Sequence, residues 1–181
     1  PEQQLELDTS RLIPINLSSA NSEDKTELDA WSFLFGRNLF DLKTEEEAPF
    51  YLCKEGKFTD RVIIPFTSDE GVVYYFQARA LYDQEPKYLN PSTEIAPKPS
   101  DILYPYDEDA DYVVVCEGPL DARALQLQGI NATATIGSSI SPRQAEILST
   151  FAGTIILGYD NDTAGQRGIE KFDRTRKEMR M

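Results

Sequence analysis

The sequence predicts an α/β protein in which a parallel sheet flanked by helices follows a smaller α+β subdomain. From residue 112 onward, short apolar runs alternate with helical patterns three times. Consecutive strands joined through helices run parallel and lie between helical layers. Upstream, two apolar runs flank a turn sequence between residues 61 and 79, which predicts an antiparallel hairpin. We therefore expect two domains, 1–105 and 106–181.

The first domain opens with a segment whose pattern is weak until residue 24. An apolar stripe at helical spacing then predicts an amphipathic helix over residues 24–40, broken near Gly36, with Leu28, Trp31, Phe35 and Leu39 facing the core. Residues 61–66 and 72–79 are apolar enough for two strands, and the turn 68–71 joins them. Residues 82–100 contain four prolines and predict a long loop.

The second domain alternates strand and helix. Residues 112–116 form a continuous apolar run, as in a strand that is buried on both faces. The next helix is expected over 119–128, and a weaker strand over 132–136. Ser141, Pro142 and Gln144 combine a capping box with proline at the first helical position, so a helix begins there. A third strand over 154–159 and a last helix over 164–179 complete the pattern.

Composition excludes several kinds of site. The chain has no histidine and two cysteines. A Ser-His-Asp triad, a histidine-ligated metal and a four-ligand structural zinc site are therefore excluded within it. The formal charge is −13, which argues against a nucleic-acid-binding surface. The acidic excess lies in residues 1–110, however, and acidic and basic residues nearly balance from residue 111 onward.

Targeting signals are also missing from the sequence. No apolar run is long enough to span a membrane, and residues 1–6 do not resemble a signal peptide. Two cysteines without a disulfide framework suit a reducing cytoplasm. Because the chain begins with Pro1 rather than methionine, we expect an excised or processed piece.

Carboxylates follow two of the predicted parallel strands. Glu117 follows the first strand, and Asp121 lies one helical turn later; Asp160 and Asp162 follow the third strand. Because ligands bind at the carboxyl ends of parallel strands, we expect these four groups to converge. Carboxylates crowded together repel one another at neutral pH, and a divalent cation relieves that repulsion. Oxygen ligands without histidine or cysteine predict Mg²⁺ or Mn²⁺. Helix capping remains an alternative role for each acid taken singly.

These acids lie in motifs that resemble those of a known family. E-G-P-L-D-A at residues 117–122 resembles the first acidic motif of Toprim domains, in the form found in bacterial DnaG-type primases. G-Y-D-N-D-T-A-G at 158–165 resembles the second. Upstream, D-R-V-I-I-P-F at 60–66, F-Q-A-R-A-L at 76–81 and P-K-Y-L-N at 86–90 are similar to primase segments as well. The resemblance covers roughly residues 58–170.

The resemblance implies a site and an activity. It implies template-directed synthesis of short RNA primers from ribonucleoside triphosphates on single-stranded DNA. Glu117, Asp160 and Asp162 are the implied catalytic residues, and with Asp121 they are the implied ligands of Mg²⁺ or Mn²⁺. The implied contacts to nucleotide or template are Arg61, Arg79, Lys87, Tyr88 and Asn90. A replicative helicase is an expected partner, through parts outside this chain.

The sequence departs from the family pattern in two places. The zinc-binding module typical of these primases needs cysteine and histidine ligands, and two cysteines without histidine cannot supply them. The Toprim domain is expected to be truncated at its C-terminus, since a further strand with acidic residues does not follow. We expect weak, salt-sensitive DNA binding by this chain alone.

Three alternative functions remain open from the sequence. Another Toprim enzyme, a nuclease or a topoisomerase, would share the acidic motifs but not the segment 86–90. A haloacid-dehalogenase-like phosphatase would use D-x-D-x-T, but Ala164 occupies the position of its threonine. The third is a non-catalytic regulatory module with a primase-like fold, to which the intact acids give no support.

Overall fold

The computed structural model describes residues 11–40 and 50–159, together with Gln166, Arg167, Ile169, Glu170, Phe172, Asp173, Arg174 and Lys177. The described residues fall into two compact units, one ending at Ala96 and the other beginning at Pro97. Each unit has a sheet of its own. The mixed α/β architecture predicted from the sequence is confirmed, and the two sheets are of the expected kinds.

The first unit is built on an antiparallel sheet of five strands in sequential order. Each strand pairs with the one that follows it in the sequence. The strands are β1 (Leu12–Ile15), β2 (Phe50–Cys53), β3 (Arg61–Thr67), β4 (Val73–Ala80) and β5 (Tyr88–Leu89). Short connections join β2, β3 and β4, as antiparallel neighbours allow, whereas residues 16–49 separate β1 from β2 in the sequence.

The hairpin of β3 and β4 is confirmed. Arg61 pairs with Ala80 at its open end, and the register shifts between Phe66 and Thr67 near the turn. The turn is closed by a hydrogen bond from the Gly71 N–H to the Ser68 carbonyl, 2.9 Å long. Gly71 has a φ of 81°, which glycine adopts without the steric cost that a side chain adds.

Helix α1 (Lys25–Phe35) follows β1 and is shorter than predicted. The Asp24 carboxylate caps it by accepting hydrogen bonds from the N–H groups of Thr26 and Glu27. The helix ends at Gly36, and Asn38 then takes a φ of 56°, a conformation that asparagine tolerates. Ala30 and Leu34 are its buried residues, whereas Phe35 from the predicted stripe is 48% exposed. The core-facing side is thus rotated relative to the prediction.

Two features of the first unit differ from the sequence pattern. β1 and β2 lie in a region where no strand was predicted. β5 lies inside the expected loop 82–100, where Tyr88 pairs with Arg79 and Leu89 with Ala78. A two-residue strand flanked by prolines has too little periodicity to be recognised, and its pairing depends on β4 being already in place.

The second unit contains a parallel sheet of three described strands in the order β7-β6-β8. These are β6 (Tyr112–Cys116), β7 (Ala132–Ala134) and β8 (Thr154–Leu157). Helix α2 (Pro119–Gln126) connects β6 to β7, and α3 (Pro142–Thr150) connects β7 to β8. The described positions between 166 and 177 are helical. The predicted strand–helix alternation is confirmed.

The capping box predicted at the start of α3 is present. Ser141 Oγ accepts a hydrogen bond from the Gln144 N–H, and Gln144 Oε1 accepts one from the Ser141 N–H, both 3.0 Å long. The Gln144 side chain is buried, and its amide also faces backbone carbonyls of Pro99, Ile102 and Thr135. This residue therefore fixes the position of the segment that precedes β6.

The boundary between the units lies earlier than the predicted one between residues 105 and 106. Leu103 belongs to the core of the second unit, where it packs with Val113, Leu148 and Phe172. The Tyr104 N–H donates to the Ala134 carbonyl over 3.0 Å, and Thr133 Oγ1 donates to the Tyr104 carbonyl over 2.6 Å. Residues 97–105 thus belong with the second unit because their hydrogen bonds and apolar contacts lie there.

In the ranges that the structure describes, no helix combines the length and the apolar character needed to cross a bilayer.

Candidate functional site

The carboxyl ends of β6, β7 and β8 lie at one edge of the parallel sheet, and two of the four predicted acidic residues, Glu117 and Asp121, are described at the end of β6. Glu117 comes directly after β6 and is half-buried. Gly118 then caps α2, whose first helical residue is Pro119. Proline suits that position because its missing N–H would have no partner in the helix.

Asp121 lies in the first turn of α2, where a negative charge is favoured by the helix dipole. Its side chain folds back towards Gly118. A Cβ atom built on Gly118 would lie 3.0 Å from Asp121 Oδ2, tighter than an ordinary contact. Glycine at 118 therefore lets the Asp121 carboxylate lie close to the backbone that follows Glu117.

The loop after β7 holds the backbone around Glu117. The Thr135 N–H donates to the Cys116 carbonyl over 3.1 Å, and the Gly137 N–H donates to the Glu117 carbonyl over 3.2 Å. Between them, Ile136 has a φ of 60°. A β-branched residue with positive φ is strained, and such strain persists only where surrounding contacts impose it.

Tyr159 follows β8 and faces the same edge. Its hydroxyl lies 3.1 Å from Thr135 Oγ1. Burial raises the pKa of the Tyr159 phenol to about 12, and the negative charge of Glu117 adds to this shift. The sequence analysis did not single out Tyr159 or Thr135 as site residues, although Tyr159 lies within the second acidic motif and Thr135 within the second predicted strand.

Asp160 and Asp162 lie outside the described residues, so their convergence with Glu117 stays a prediction. Among the residues that the structure describes, no three histidine, cysteine, aspartate or glutamate side chains are grouped closely enough to hold a metal ion. Glu117 and Asp121 are nevertheless carboxylates at one strand–helix junction, which is the donor chemistry that Mg²⁺ and Mn²⁺ prefer. They fit such an ion as part of a larger ligand set.

The basic residues predicted to contact nucleotide lie in the first unit, around β4 and β5. The Arg79 guanidinium lies between two aromatic rings, 5.4 Å from the Phe33 centroid and 5.3 Å from that of Tyr88. It also donates to the Ala80 carbonyl. Contact with two ring faces adds cation–π attraction and restricts the positions that a guanidinium can take.

Arg61 is placed differently from the other basic residues. It is only 3% exposed, and its guanidinium donates to the carbonyls of Pro86 (2.8 Å), Lys87 (3.3 Å) and Ala78 (3.4 Å). Burial lowers its pKa, and the positive charge of Arg79 lowers it further. These contacts describe a side chain that attaches the segment 86–87 to the hairpin, rather than one directed at a phosphate.

Lys87 and Asn90, which were also predicted to contact nucleotide or template, differ from each other as Arg79 and Arg61 do: one is exposed, and the other binds within the protein. Lys87 is exposed, so its ammonium group is accessible to a ligand. Asn90 is half-buried, and its Oδ1 accepts a hydrogen bond from the buried Gln77 Nε2 over 3.3 Å. Asn90 thus helps to attach β5 to β4, while Lys87 projects from the surface.

Two residues near Arg79 were missed by sequence reasoning. Phe33 lies beneath Arg79 and also beneath the exposed Arg37, whose guanidinium carbon is 4.8 Å from the ring centroid. The separation of Phe33 and Arg37 by four residues in and after α1 is a signal of such stacking. Its second contact depends on how α1 packs against β4, which no local pattern reveals.

Comparison with known proteins identifies relatives of this chain. A family model described as Toprim-like matches residues 114–180. The chain is 35% identical over 124 residues to a DNA primase of Clostridium acetobutylicum, covering 65% of this chain and 21% of that protein. It is 37% identical over 123 residues to a DNA primase of Thermotoga maritima, covering 64% and 22%. The chain therefore spans about a fifth of the length of these curated relatives.

Solved structures show the same fold. The structure of a DnaG catalytic core superposes with a TM-score of 0.64 at 22% identity, covering 88% of this chain and 63% of that chain. A DNA primase domain from Pseudomonas aeruginosa has a TM-score of 0.58 at 29% identity, covering 84% and 47%. These findings support the primase prediction over a nuclease, a topoisomerase or a phosphatase.

Proposed function

Because the chain is related in sequence and in fold to the bacterial DnaG-type primases, we propose that it forms part of the catalytic core of a DNA primase. The proposed reaction is template-directed joining of ribonucleotides into short RNA primers on single-stranded DNA. The observation that carries this proposal is the placement of Glu117 and Asp121 at the carboxyl edge of the parallel sheet, within the segment matched as Toprim-like.

The acidic site is proposed to hold a divalent cation. Glu117, Asp121, Asp160 and Asp162 would be its ligands, and Mg²⁺ or Mn²⁺ suits an all-carboxylate set. Such an ion, when bound, neutralises triphosphate charge and orients the reacting oxygens. The chain itself contributes a half-buried Glu117 whose backbone is fixed on both sides by the loop after β7.

The surface around β4 and β5 is proposed to bind the triphosphate or the template backbone. Arg79 and Lys87 supply positive charge, and Tyr88 supplies an aromatic face next to Arg79. A planar guanidinium held by stacking is suited to bidentate contact with phosphate oxygens. Arg61 and Asn90 hold this surface in place: Arg61 binds the backbone carbonyl of Pro86, and Asn90 binds the side chain of Gln77.

The proposed partners follow from the activity. One related solved structure is a DnaG primase catalytic domain bound to single-stranded DNA, with a TM-score of 0.62 at 23% identity. We propose that single-stranded DNA is the template and that ribonucleoside triphosphates are the substrates of this protein. A replicative helicase is a further proposed partner through regions outside this chain, and the cytoplasm of a bacterium or of a phage-infected host is the proposed location.

The decisive experiment measures primer synthesis on single-stranded DNA with Mg²⁺ or Mn²⁺, using the protein at its natural full length. Glu117→Gln keeps the size of the side chain and removes its charge. We expect the rate to fall by roughly 10²-fold or more, the scale on which a single electrostatic group contributes to catalysis.

Glu146→Gln is the matched control, because Glu146 is an exposed carboxylate that pairs with Arg143 on α3, at 2.7 Å. It should leave the rate unchanged. Full activity of Glu117→Gln, or equal loss in both variants, would contradict the proposed site.

A further inference from the structure

One hydroxyl group, that of Thr135, joins the ends of the three described parallel strands. Thr135 follows β7, and its Oγ1 lies 2.8 Å from the Gly137 carbonyl oxygen and 3.1 Å from the hydroxyl of Tyr159, which follows β8. The Cys116 carbonyl at the end of β6 lies 3.5 Å from the same atom, at the limit of a hydrogen bond.

The direction of these hydrogen bonds follows from the number of hydrogens available. A threonine hydroxyl has one hydrogen to donate and two lone pairs that accept. The carbonyl of Gly137 can only accept, and at 2.8 Å it takes the Thr135 hydrogen. Thr135 therefore accepts from Tyr159, so the Tyr159 hydroxyl is the donor that completes the network.

Tyr159 reaches across the central strand to make this contact. β8 and β7 flank β6 on opposite sides, so a bond between Tyr159 and Thr135 spans the end of β6, where Glu117 begins. The same loop donates the Thr135 and Gly137 N–H groups to the carbonyls of Cys116 and Glu117. The carbonyls of Cys116 and Glu117 are thus bound to a loop that the Tyr159 hydroxyl contacts through Thr135.

The loop needs such restraint because Ile136 has a φ of 60°. An isoleucine in that conformation relaxes to negative φ unless its neighbours prevent it. Relaxation would rotate the Gly137 peptide, and its N–H would then lose the Glu117 carbonyl. The position of Glu117 therefore depends on the conformation of the loop, through the peptide that joins Ile136 to Gly137.

We propose that Tyr159, acting through Thr135, is a positioning residue that fixes Glu117 for metal binding. The inference rests on the proposed function, because it assumes that Glu117 contacts the cation. Tyr159 also directly precedes Asp160 in the sequence. Groups that orient a metal ligand without touching the metal contribute about 10- to 100-fold in affinity.

A role in core packing alone is the competing explanation for Tyr159. Its ring packs against the core of the second unit, and so does the ring of Tyr106. Tyr106 lies towards the opposite edge of the sheet, because the N–H of its neighbour Asp107 donates to Asn131 Oδ1, directly before β7. Tyr106→Phe thus makes the same chemical change in the same core, away from Glu117, and is the matched control.

The test measures Mn²⁺ affinity of the purified chain by isothermal titration calorimetry, with thermal unfolding of each variant in parallel. Tyr159→Phe and Thr135→Val each remove one hydroxyl and preserve shape; we expect each to weaken Mn²⁺ binding about 10-fold. Thr135→Ser retains the hydroxyl and should restore affinity to within about twofold. The double variant should be no weaker than either single one, since both break the same contact.

Three results would overturn the inference. Wild-type Mn²⁺ affinity in Tyr159→Phe, with a loss of thermal stability equal to that of Tyr106→Phe, would leave only core packing. Failure of Thr135→Ser to restore affinity would exclude the hydroxyl as the cause. The Glu117→Gln variant distinguishes failure of the positioning role from failure of the proposed metal site. If Glu117→Gln abolishes Mn²⁺ binding and Tyr159→Phe does not weaken Mn²⁺ binding, only the positioning role of Tyr159 is excluded. If Glu117→Gln leaves Mn²⁺ binding unchanged, the metal site and the inference are both overturned.

Discussion

At the scale of single residues, the same residue type has different roles according to what surrounds it. Arg61 and Arg79 both lie in the central hairpin, and both were predicted to contact phosphate. Arg61 is buried and its hydrogens go to three carbonyls, whereas Arg79 is stacked between two rings. Sequence identifies an arginine at each position, but the partners of a long side chain come from segments far away in the chain.

Tyr75 gives a prediction about pH. It is fully buried, and its hydroxyl has no hydrogen-bond partner among the described residues. Burial raises the pKa of the Tyr75 phenol far above its usual value. The folded state therefore favours the neutral form, so this contribution to stability is complete below about pH 10 and is lost progressively as the pH rises above it.

Tyr75→Phe should consequently keep or raise the free energy of unfolding at neutral pH, by up to about 1 kcal/mol, because it removes an unsatisfied buried group. It should also reduce the loss of stability above about pH 10. Denaturant unfolding at a series of pH values checks both expectations, with Tyr51→Phe on β2 as the control. A loss of more than about 1 kcal/mol at neutral pH would show that the hydroxyl is satisfied after all.

At the scale of elements, the strands and helices of the second unit follow closely from local pattern. The strand runs, the capping box at Ser141 and the carboxylates after β6 were all recognisable, because each depends on a few neighbouring residues. β5 was not recognised, since its two residues become a strand only by pairing with Ala78 and Arg79. The sequence also does not predict where the backbones of two elements approach each other closely.

Gly153 shows such a close approach, just before β8. A Cβ atom at this position would overlap the backbone carbonyl of Asp111, which precedes β6. Backbone cannot yield as a flexible side chain does, so Gly153→Ala should lower the free energy of unfolding by about 1–3 kcal/mol. Gly137→Ala is the control, because a Cβ atom added there would have no neighbouring atom within 4 Å and the change should cost less than about 0.5 kcal/mol.

Denaturant unfolding of the purified chain measures both glycine variants. Equal stability of Gly153→Ala and Gly137→Ala would mean that β8 can move away from Asp111 without cost. The described register of β8, in which Thr154 pairs with Tyr112, would then be looser than the structure shows.

At the scale of the whole molecule, charge is the property that most needs interpretation. The chain carries a formal charge of −13 yet is similar to DNA primases. Part of the acidity belongs to the proposed metal site, where a bound cation would offset it. Binding of single-stranded DNA by this chain should therefore be weak and depend on a few local cations rather than on overall attraction.

Salt dependence tests this interpretation. The logarithm of the binding constant for single-stranded DNA should fall linearly with the logarithm of salt concentration, by about 0.7 per phosphate contact. Arg79→Gln and Lys87→Gln should each reduce that slope by about 0.7. Lys54→Gln is the control, since Lys54 pairs with Asp24 and should leave the slope unchanged. Fluorescence anisotropy of labelled oligonucleotides gives the slopes, and equal slopes for all three variants would remove Arg79 and Lys87 from the interface.

The sequence alone determined the class of fold, the order of strands and helices in the second unit, and the position of a carboxylate directly after β6. These depend on periodicity, on capping and on the rule that parallel strands end together, all of which act over short stretches of chain.

Only the tertiary structure decided that Arg61 is buried against carbonyls, that Tyr88 and Phe33 enclose Arg79, and that Tyr159 binds Thr135 across β6. Each of these contacts joins residues that are distant in sequence. Their partners are selected by packing of whole elements, which no local pattern contains.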